Sequence, residues 1–456
     1  MAQRFDAIIV GAGQAGPPLA GRLTDAGQTV AVIERKLVGG TCVNYGCIPT
    51  KTLVASAHAA HLARRGDEFG IGTGDVTVDM TKVKARKDHI SVGDREGVES
   101  WLTGMKGCTL IRGHARFEDP HTIRVDDELL EADRIFLNVG GRAVVPDMPG
   151  LADVDYLTNV GILDLDTVPE HLVVIGGSYI ALEFAQMYRR FGARVTVVER
   201  GSRLTAREDE DVSAAIKDIL ENEGIDVVLG ADAISFAKQD SGFTVTPRDG
   251  AQPIAGSHVL VAVGRQPNTD DLGLERAGVE TDGRGYVVVD DQLRTNVEHI
   301  WAMGDCNGRG AFTHTSYNDF EIVAATLLDD DPRKVSDRIT TYALYIDPPL
   351  GRAGMTADEV RRSGRKALVG KRPMTRVGRA VEKGETQGFM KVVVDAETEQ
   401  ILGASILGVG GDEVVQDILD VMTAKLPYSA ISRTMHIHPT VSELVPTMLQ
   451  ELKPLQ

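Results

Sequence analysis

Apolar residues in this chain come in short dense runs that stop at glycine-rich turns. The first, Phe5-Asp6-Ala7-Ile8-Ile9-Val10, leads straight into Gly11-Ala12-Gly13-Gln14-Ala15-Gly16 and a helical stretch, and a second run, Thr29 to Ile33, closes at Glu34. Runs that are apolar at consecutive rather than alternate positions predict strands buried on both faces, as in a parallel sheet flanked by helices. The glycines let a backbone turn approach a pyrophosphate at a helix N-terminus, where free N–H groups and the helix dipole favour negative charge. Glu34 is placed to accept from ribose hydroxyls. The three-glycine pattern alone is weak; with the strand before it and the acid after it, it predicts a βαβ dinucleotide cradle.

The pattern then recurs. Leu172-Val173-Val174-Ile175 leads into Gly176-Gly177-Ser178-Tyr179-Ile180-Ala181, and a strand from Arg194 to Val198 ends at Glu199, with the same interval from first glycine to acid as in the first unit. Two cradles in one chain predict two different cofactors. A third pair of similar segments, Arg134 to Gly140 and His258 to Arg265, would return the chain from each unit.

Between the cradles lies Cys42-Val43-Asn44-Tyr45-Gly46-Cys47-Ile48-Pro49-Thr50-Lys51. Positions five apart in an ideal helix have Cα atoms about 9 Å apart, and a disulfide needs them within about 7 Å. The pair is therefore expected on a distorted first turn, with Gly46 as the residue best able to adopt the required backbone. An N-terminal turn also favours a thiolate. The plainer alternative is two buried cysteines that happen to be near each other.

Composition narrows the reading. The chain has 456 residues, long enough for about three domains, and 42% hydrophobic with 25% charged residues is ordinary globular usage. A formal charge of −17 argues against a nucleic-acid partner, since phosphate binding needs basic clusters. The first strand starts near Phe5, leaving no room for a secretory signal, and no apolar run reaches the roughly 18 residues of a membrane span. The expectation is a cytoplasmic protein with no membrane partner. In that compartment four cysteines are not a structural framework, so Cys42 and Cys47 read as a redox centre, and Cys108 and Cys306 as inert.

These motifs together resemble the class I pyridine nucleotide-disulfide oxidoreductases, the group that contains glutathione reductase, lipoamide dehydrogenase and mercuric reductase. Gly39-Gly40-Thr41-Cys42 through Lys51 is similar to the redox-active segment, and Thr295 through Ile300-Trp301-Ala302-Met303-Gly304-Asp305 to the second FAD motif. Gly264-Arg265-Gln266-Pro267-Asn268 is similar to the end of the nicotinamide domain, and His438-Pro439-Thr440-Val441-Ser442-Glu443 to an acid-base segment. The resemblance implies an α/β fold with two Rossmann-like dinucleotide-binding domains and a C-terminal α+β dimerisation domain. It places FAD on residues 1–145 and 270–335, NAD(P) on 146–269 and dimerisation on 336–456, with Gly388 to Val394 a central strand and a helix from Asp412 to Thr423 at the interface. No resident metal is implied.

The resemblance also implies roles. NAD(P)H would reduce FAD, and reduced FAD would open a Cys42–Cys47 disulfide, Cys47 being the flavin-side thiol and Cys42 the one that meets substrate. Lys51, one helical turn beyond Cys47, would sit near the flavin with Glu183 as its partner. FAD would be held by Gly11, Gly13, Gly16 and Glu34, by Gly40, Thr41 and Lys51, by Ala115 and Gly140, and by Asp305 and Thr313. Gly176, Ser178, Glu199 and Gly264 would hold the nicotinamide nucleotide, with Tyr179 covering the flavin until it arrives. His438, oriented by Glu443, would be the acid-base residue, supplied by the other subunit of a homodimer.

Departures from the family pattern matter as well. Ser178 replaces the middle glycine of the second cradle, and Tyr45 is unusually bulky for its place between the thiols. The chain ends at Gln456 without the terminal cysteine pair of mercuric reductases. Glu199 favours NADH, while Arg200 and Arg203 pull towards NADPH. The Trp301, Phe312-Thr313, Pro348 to Thr356 and Leu426 to Ser429 segments resemble most the mercuric-reductase-like branch that includes a reactive-chlorine resistance flavoprotein. That branch implies a small oxidant or metal ion as acceptor: hypothiocyanous acid, copper(II) or mercury(II). The competing readings are a low-molecular-weight disulfide reductase or dihydrolipoyl dehydrogenase, and a redox sensor without turnover.

Overall fold

The computed structural model describes residues 2–456. Its first sheet is built on Gln3–Val10, which pairs in parallel with Val30–Glu34 on one side and Glu128–Leu137 on the other. Val30–Glu34 is buried along its whole length, Val30 to Ile33 as an apolar run requires and Glu34 with its carboxylate hydrogen-bonded to backbone N–H groups. Cys108–Arg112 extends the sheet beyond it. On the far side Glu128–Leu137 receives Thr122–Val125 along its first half and Ile300–Ala302 along its second. A strand from residue 300 thus closes a sheet begun at residue 3, so the chain leaves this unit and comes back to it.

The departure is a second sheet, ordered Asp226–Val228, Arg194–Val198, His171–Ile175, His258–Val261, Tyr156–Leu157, all parallel. The apolar segment starting at His258 stops as a strand at Val261, and Arg265–Pro267 forms a separate ribbon with Gly141–Ala143. Gly264, at φ +144°, turns the chain between them.

The C-terminal part is a six-stranded antiparallel sheet ordered Thr341–Leu344, Leu350–Gly354, Ile401–Leu407, Phe389–Asp395, Ala367–Pro373, Lys453–Pro454. The helix Gly411–Thr423 lays Val414, Val415 and Ile418 on this sheet and exposes Glu413, Gln416, Asp417 and Asp420. The whole is α/β, with two Rossmann-like units and a C-terminal α+β domain. Among the described residues no helix is long and apolar enough to cross a membrane.

Candidate active site

Both glycine-rich turns open into one cleft of about 2700 Å³, which also reaches Cys42, Cys47, Lys51 and Asp305. Pockets for single drug-sized ligands are roughly 300–1,000 Å³, so this one has room for two extended nucleotides.

At the first turn Gly11 has φ +106°, and a Cβ there would lie 2.2 Å from the Asn138 carbonyl oxygen; a Cβ on Gly16 would lie 2.6 Å from the Gly11 carbonyl. Asn138 donates its amide to the Gly11 carbonyl at 3.0 Å, fixing the turn against the return strand. Glu34 accepts from the backbone N–H of Ala12 at 3.0 Å and of Lys36 at 2.8 Å, which anchors its carboxylate at the strand end. Gly40, at φ +61°, sits so close to Gly13 that a Cβ would come within 2.8 Å of its Cα. Thr41, Ala115, Gly140 and Thr313 line the same cleft, and Asp305 takes an ion pair from Arg265 at 3.2 Å. A turn stripped of side chains, against a held carboxylate, fits a dinucleotide such as FAD.

The second turn repeats this. A Cβ on Gly176 would meet the Ala262 carbonyl at 2.4 Å, and one on Gly177 the Glu199 carboxylate at 2.8 Å. Glu199 accepts from the N–H of Gly201 at 2.6 Å. Ser178 is exposed with extended backbone, which any residue adopts, so the loss of a glycine there strains nothing. The position that cannot carry a side chain is Gly176, where a Cβ would collide with backbone, while a Cβ on Gly177 would press on the Glu199 and Leu204 side chains.

The two thiols lie on different helices. Cys42 is in Gly40–Tyr45, Cys47 is the first residue of Cys47–Arg64, and Gly46 separates them. A Cβ on Gly46 would lie 2.9 Å from the Thr41 carbonyl. Instead of one helix with a distorted first turn there are two helices joined at the glycine. Both cysteines are free thiols. The hydrogen bond from Cys42 is the main reason that Cys47 is lowered to about 6, with further help from the Thr313 hydroxyl and the Lys51 ammonium against the opposing effect of burial. The same bond, together with burial, pushes Cys42 up. Cys47 is thus the thiol of the pair that more readily carries negative charge, and its Sγ lies 3.1 Å from Thr313 Oγ1. Cys108 and Cys306 are pushed up by burial to about 11 and about 12.

Lys51, on the same helix as Cys47, donates to Glu183 at 2.6 Å and lies 4.7 Å from the centre of the Tyr345 ring. Glu183 also accepts from the Tyr345 N–H at 2.9 Å. Tyr179, the first residue of the helix Tyr179–Phe191, packs against both Phe312 and Tyr342, with ring centres 6.3 and 5.3 Å away, and those two rings stack on each other at 5.4 Å. His438 and Glu443 are bonded to each other at 2.9 Å, but His438 is 80% exposed and neither lines the cleft of its own chain. The structure thus brings the thiols, Lys51, Glu183 and Tyr179 together and leaves the histidine pair outside. Glu208 and Tyr342, which border Tyr179, carry no motif and were not legible in the sequence. Among the described residues no group of three or more His, Cys, Asp or Glu is arranged to hold a metal ion.

Two nucleotide cradles with a dithiol between them define the class. The pattern of the pyridine nucleotide-disulphide oxidoreductases matches residues 5–319 and that of their dimerisation domain residues 340–449; the chain belongs to this family and is an FAD-dependent, NAD(P)H-linked flavoprotein disulfide oxidoreductase. It is 37% identical over 448 residues to the probable pyridine nucleotide-disulfide oxidoreductase RclA of Escherichia coli, spanning 96% of this chain and 97% of that one. It is 34% identical to the dihydrolipoyl dehydrogenase of Haloferax volcanii, spanning 96% and 94%. Among solved structures it is similar to the Cu(II) complex of the HOCl-induced flavoprotein disulfide reductase RclA from Escherichia coli, with a TM-score of 0.91 and 35% identity over 99% of this chain and 100% of that one.

Proposed function

We propose that Cys42 and Cys47 form the electron relay of this enzyme and deliver two electrons to a small oxidant or thiophilic metal ion, of the hypothiocyanous acid, copper(II) or mercury(II) type. The observation that carries the reading is geometric: Cys47 Sγ lies 3.1 Å from Thr313 Oγ1 and heads the helix that carries Lys51, while Cys42, on the preceding helix, lines the same cleft as both glycine turns. Bound FAD supplies two-electron transfer between a nicotinamide hydride and a sulfur. Gly11, Gly13, Gly16, Glu34, Gly40, Thr41, Ala115, Gly140, Asp305 and Thr313 would hold it, with the Lys51–Glu183 pair alongside; Gly176, Ser178, Glu199 and Gly264 would hold the nicotinamide nucleotide.

The chain's own residues manage protons and charge. Lys51 offsets the negative charge on Cys47, and Thr313 donates to it. Cys42 loses its proton as it attacks the acceptor; forming the Cys42–Cys47 disulfide releases two electrons, which the acceptor takes up. A base must receive the Cys42 proton and an acid must protonate a departing group. His438 of the partner subunit, oriented by its Glu443, fits both tasks, which makes the working enzyme a homodimer with the site shared between chains. A dithiol that must cycle suits the reducing cytoplasm, where we place the protein. Glu199 at the strand end favours NADH, and a kcat/KM about tenfold higher with NADPH would reverse that assignment.

The acceptor assignment is supported by the likeness to RclA, whose solved forms include a Cu(II) complex, and by chemistry, because a small electrophile needs no recognition groove. The likeness to dihydrolipoyl dehydrogenase favours a second reading, a low-molecular-weight disulfide as acceptor. Steady-state oxidation of NADH and NADPH against hypothiocyanous acid, copper(II), mercury(II), glutathione disulfide and lipoamide separates them. The first group is expected to turn over fastest. A kcat/KM of about 10⁶ M⁻¹s⁻¹ or more for glutathione disulfide or lipoamide alone selects the second reading.

A further inference from the structure

Behind two tyrosines that line the cleft, Tyr179 and Tyr342, lies a buried acid that the mechanism above does not use. The Glu208 side chain is fully buried, and a single oxygen, Oε1, accepts from the Tyr179 hydroxyl at 3.1 Å and the Tyr342 hydroxyl at 2.6 Å. Its other oxygen makes no hydrogen bond and faces the buried Arg352 Nε at 3.6 Å. The residues that follow are pinned to the C-terminal domain. Asp209 accepts from the N–H groups of Ala357 and Asp358 and pairs with Lys391 at 2.7 Å, while Asp211 pairs with Lys371 and Lys391, each at 2.6 Å. Glu208 is therefore fixed, and Tyr179 is the part of the contact able to leave.

Tyr179 begins the helix that springs from the second glycine turn, and it lies against Phe312, whose neighbour Thr313 touches Cys47. Tyr179 lines the cleft next to that turn, so a nicotinamide ring entering from the turn would have to displace it to reach the flavin. Resting on the functional reading above, we infer that Glu208 is a positioning residue that latches Tyr179 closed, so that each nicotinamide must break a charge-assisted hydrogen bond to enter. The latch is reversible because Tyr342 and Arg352 still neighbour the carboxylate when Tyr179 swings away, and no buried charge is stranded. A latch of this kind lowers the fraction of open molecules and raises the apparent dissociation constant in proportion.

The test is titration of the FAD-loaded enzyme with NAD⁺ and NADP⁺, which bind without turnover, by calorimetry and by the flavin difference spectrum. Glu208→Gln exchanges a charged acceptor for a neutral one and is expected to bind nucleotide about fivefold more tightly. Tyr179→Phe should do the same, and adding Glu208→Gln to it should change nothing further. Tyr342→Phe should move the other way, because Tyr179 becomes the only hydroxyl on the carboxylate; that effect should also vanish in the Tyr179→Phe background. In steady state the KM for nicotinamide falls in Glu208→Gln without a rise in kcat. An effect of Glu208→Gln that persists undiminished without the Tyr179 hydroxyl, or unchanged affinity with an unchanged Tm, overturns the proposal. If Glu208→Gln does not fold, the Tyr342→Phe pair decides by the same rule. A wild-type enzyme that binds neither nucleotide overturns the functional reading, and the latch with it.

Discussion

Cys47 owes its low titration point first to the hydrogen bond from Cys42, then to Thr313 and Lys51, working against burial. In the reduced enzyme, alkylation of Cys47 followed by mass spectrometry should rise with pH through about 6, whereas an unperturbed cysteine titrates at about 8.5. The sign is fixed: below that point the proton returns to sulfur and the reaction slows. Cys42→Ala should raise the midpoint most, and Thr313→Val by less; a wild-type midpoint near the ordinary cysteine value contradicts the assignment. At this scale the sequence was informative where spacing does the work. Lys51 shares a helix with Cys47 one turn away, so its nearness follows from periodicity. Glu208 is 134 positions from Tyr342 and meets it only because two domains fold against each other.

The elements that place these residues depend on a few positions where a side chain would collide with backbone. Gly11 combines φ +106° with a Cβ position 2.2 Å from a carbonyl oxygen of the neighbouring return strand, which cannot move without opening the first sheet. Gly11→Ala should therefore yield protein that purifies without flavin colour and melts at lower temperature, whereas the same change at Gly27, with nothing within 4 Å of its Cβ, should keep flavin. A yellow, fully loaded Gly11→Ala protein would refute the cradle. The cradles could be read from the sequence because strand, turn and acid are contiguous in each. The break at Gly46 was foreseen only as a distortion, since it comes from Gly46 approaching the Thr41 carbonyl rather than from any local propensity. Ser178 looked like a defect from spacing alone, while the close contact with Glu199 falls one residue earlier, at Gly177.

The whole molecule has an unfinished edge. His438 is 80% exposed, and beside it Met435 and Ile437 are 95% and 79% exposed, a degree of apolar exposure that marks an interaction surface. If His438 serves the thiols of a second copy, His438→Gln and Cys42→Ser homodimers should each be nearly inactive. Mixing them under subunit exchange should restore about a quarter of the sites, because half of randomly assorted dimers are mixed and each mixed dimer has one complete site. A verified heterodimer with no activity would mean that the histidine serves its own chain or is structural. No single-chain reading of periodicity reaches this arrangement, and only the resemblance of the His438 to Glu443 segment pointed to it.

The relay itself is tested most directly by anaerobic titration of the FAD-loaded enzyme with NADH while the visible spectrum is recorded. Wild type should develop a long-wavelength thiolate-to-flavin charge-transfer band at two electrons, Cys42→Ser should keep or enhance that band while losing turnover, and Cys47→Ser should lose it. A band that survives in Cys47→Ser, or a wild-type enzyme that takes up two electrons with no such band, would contradict the account.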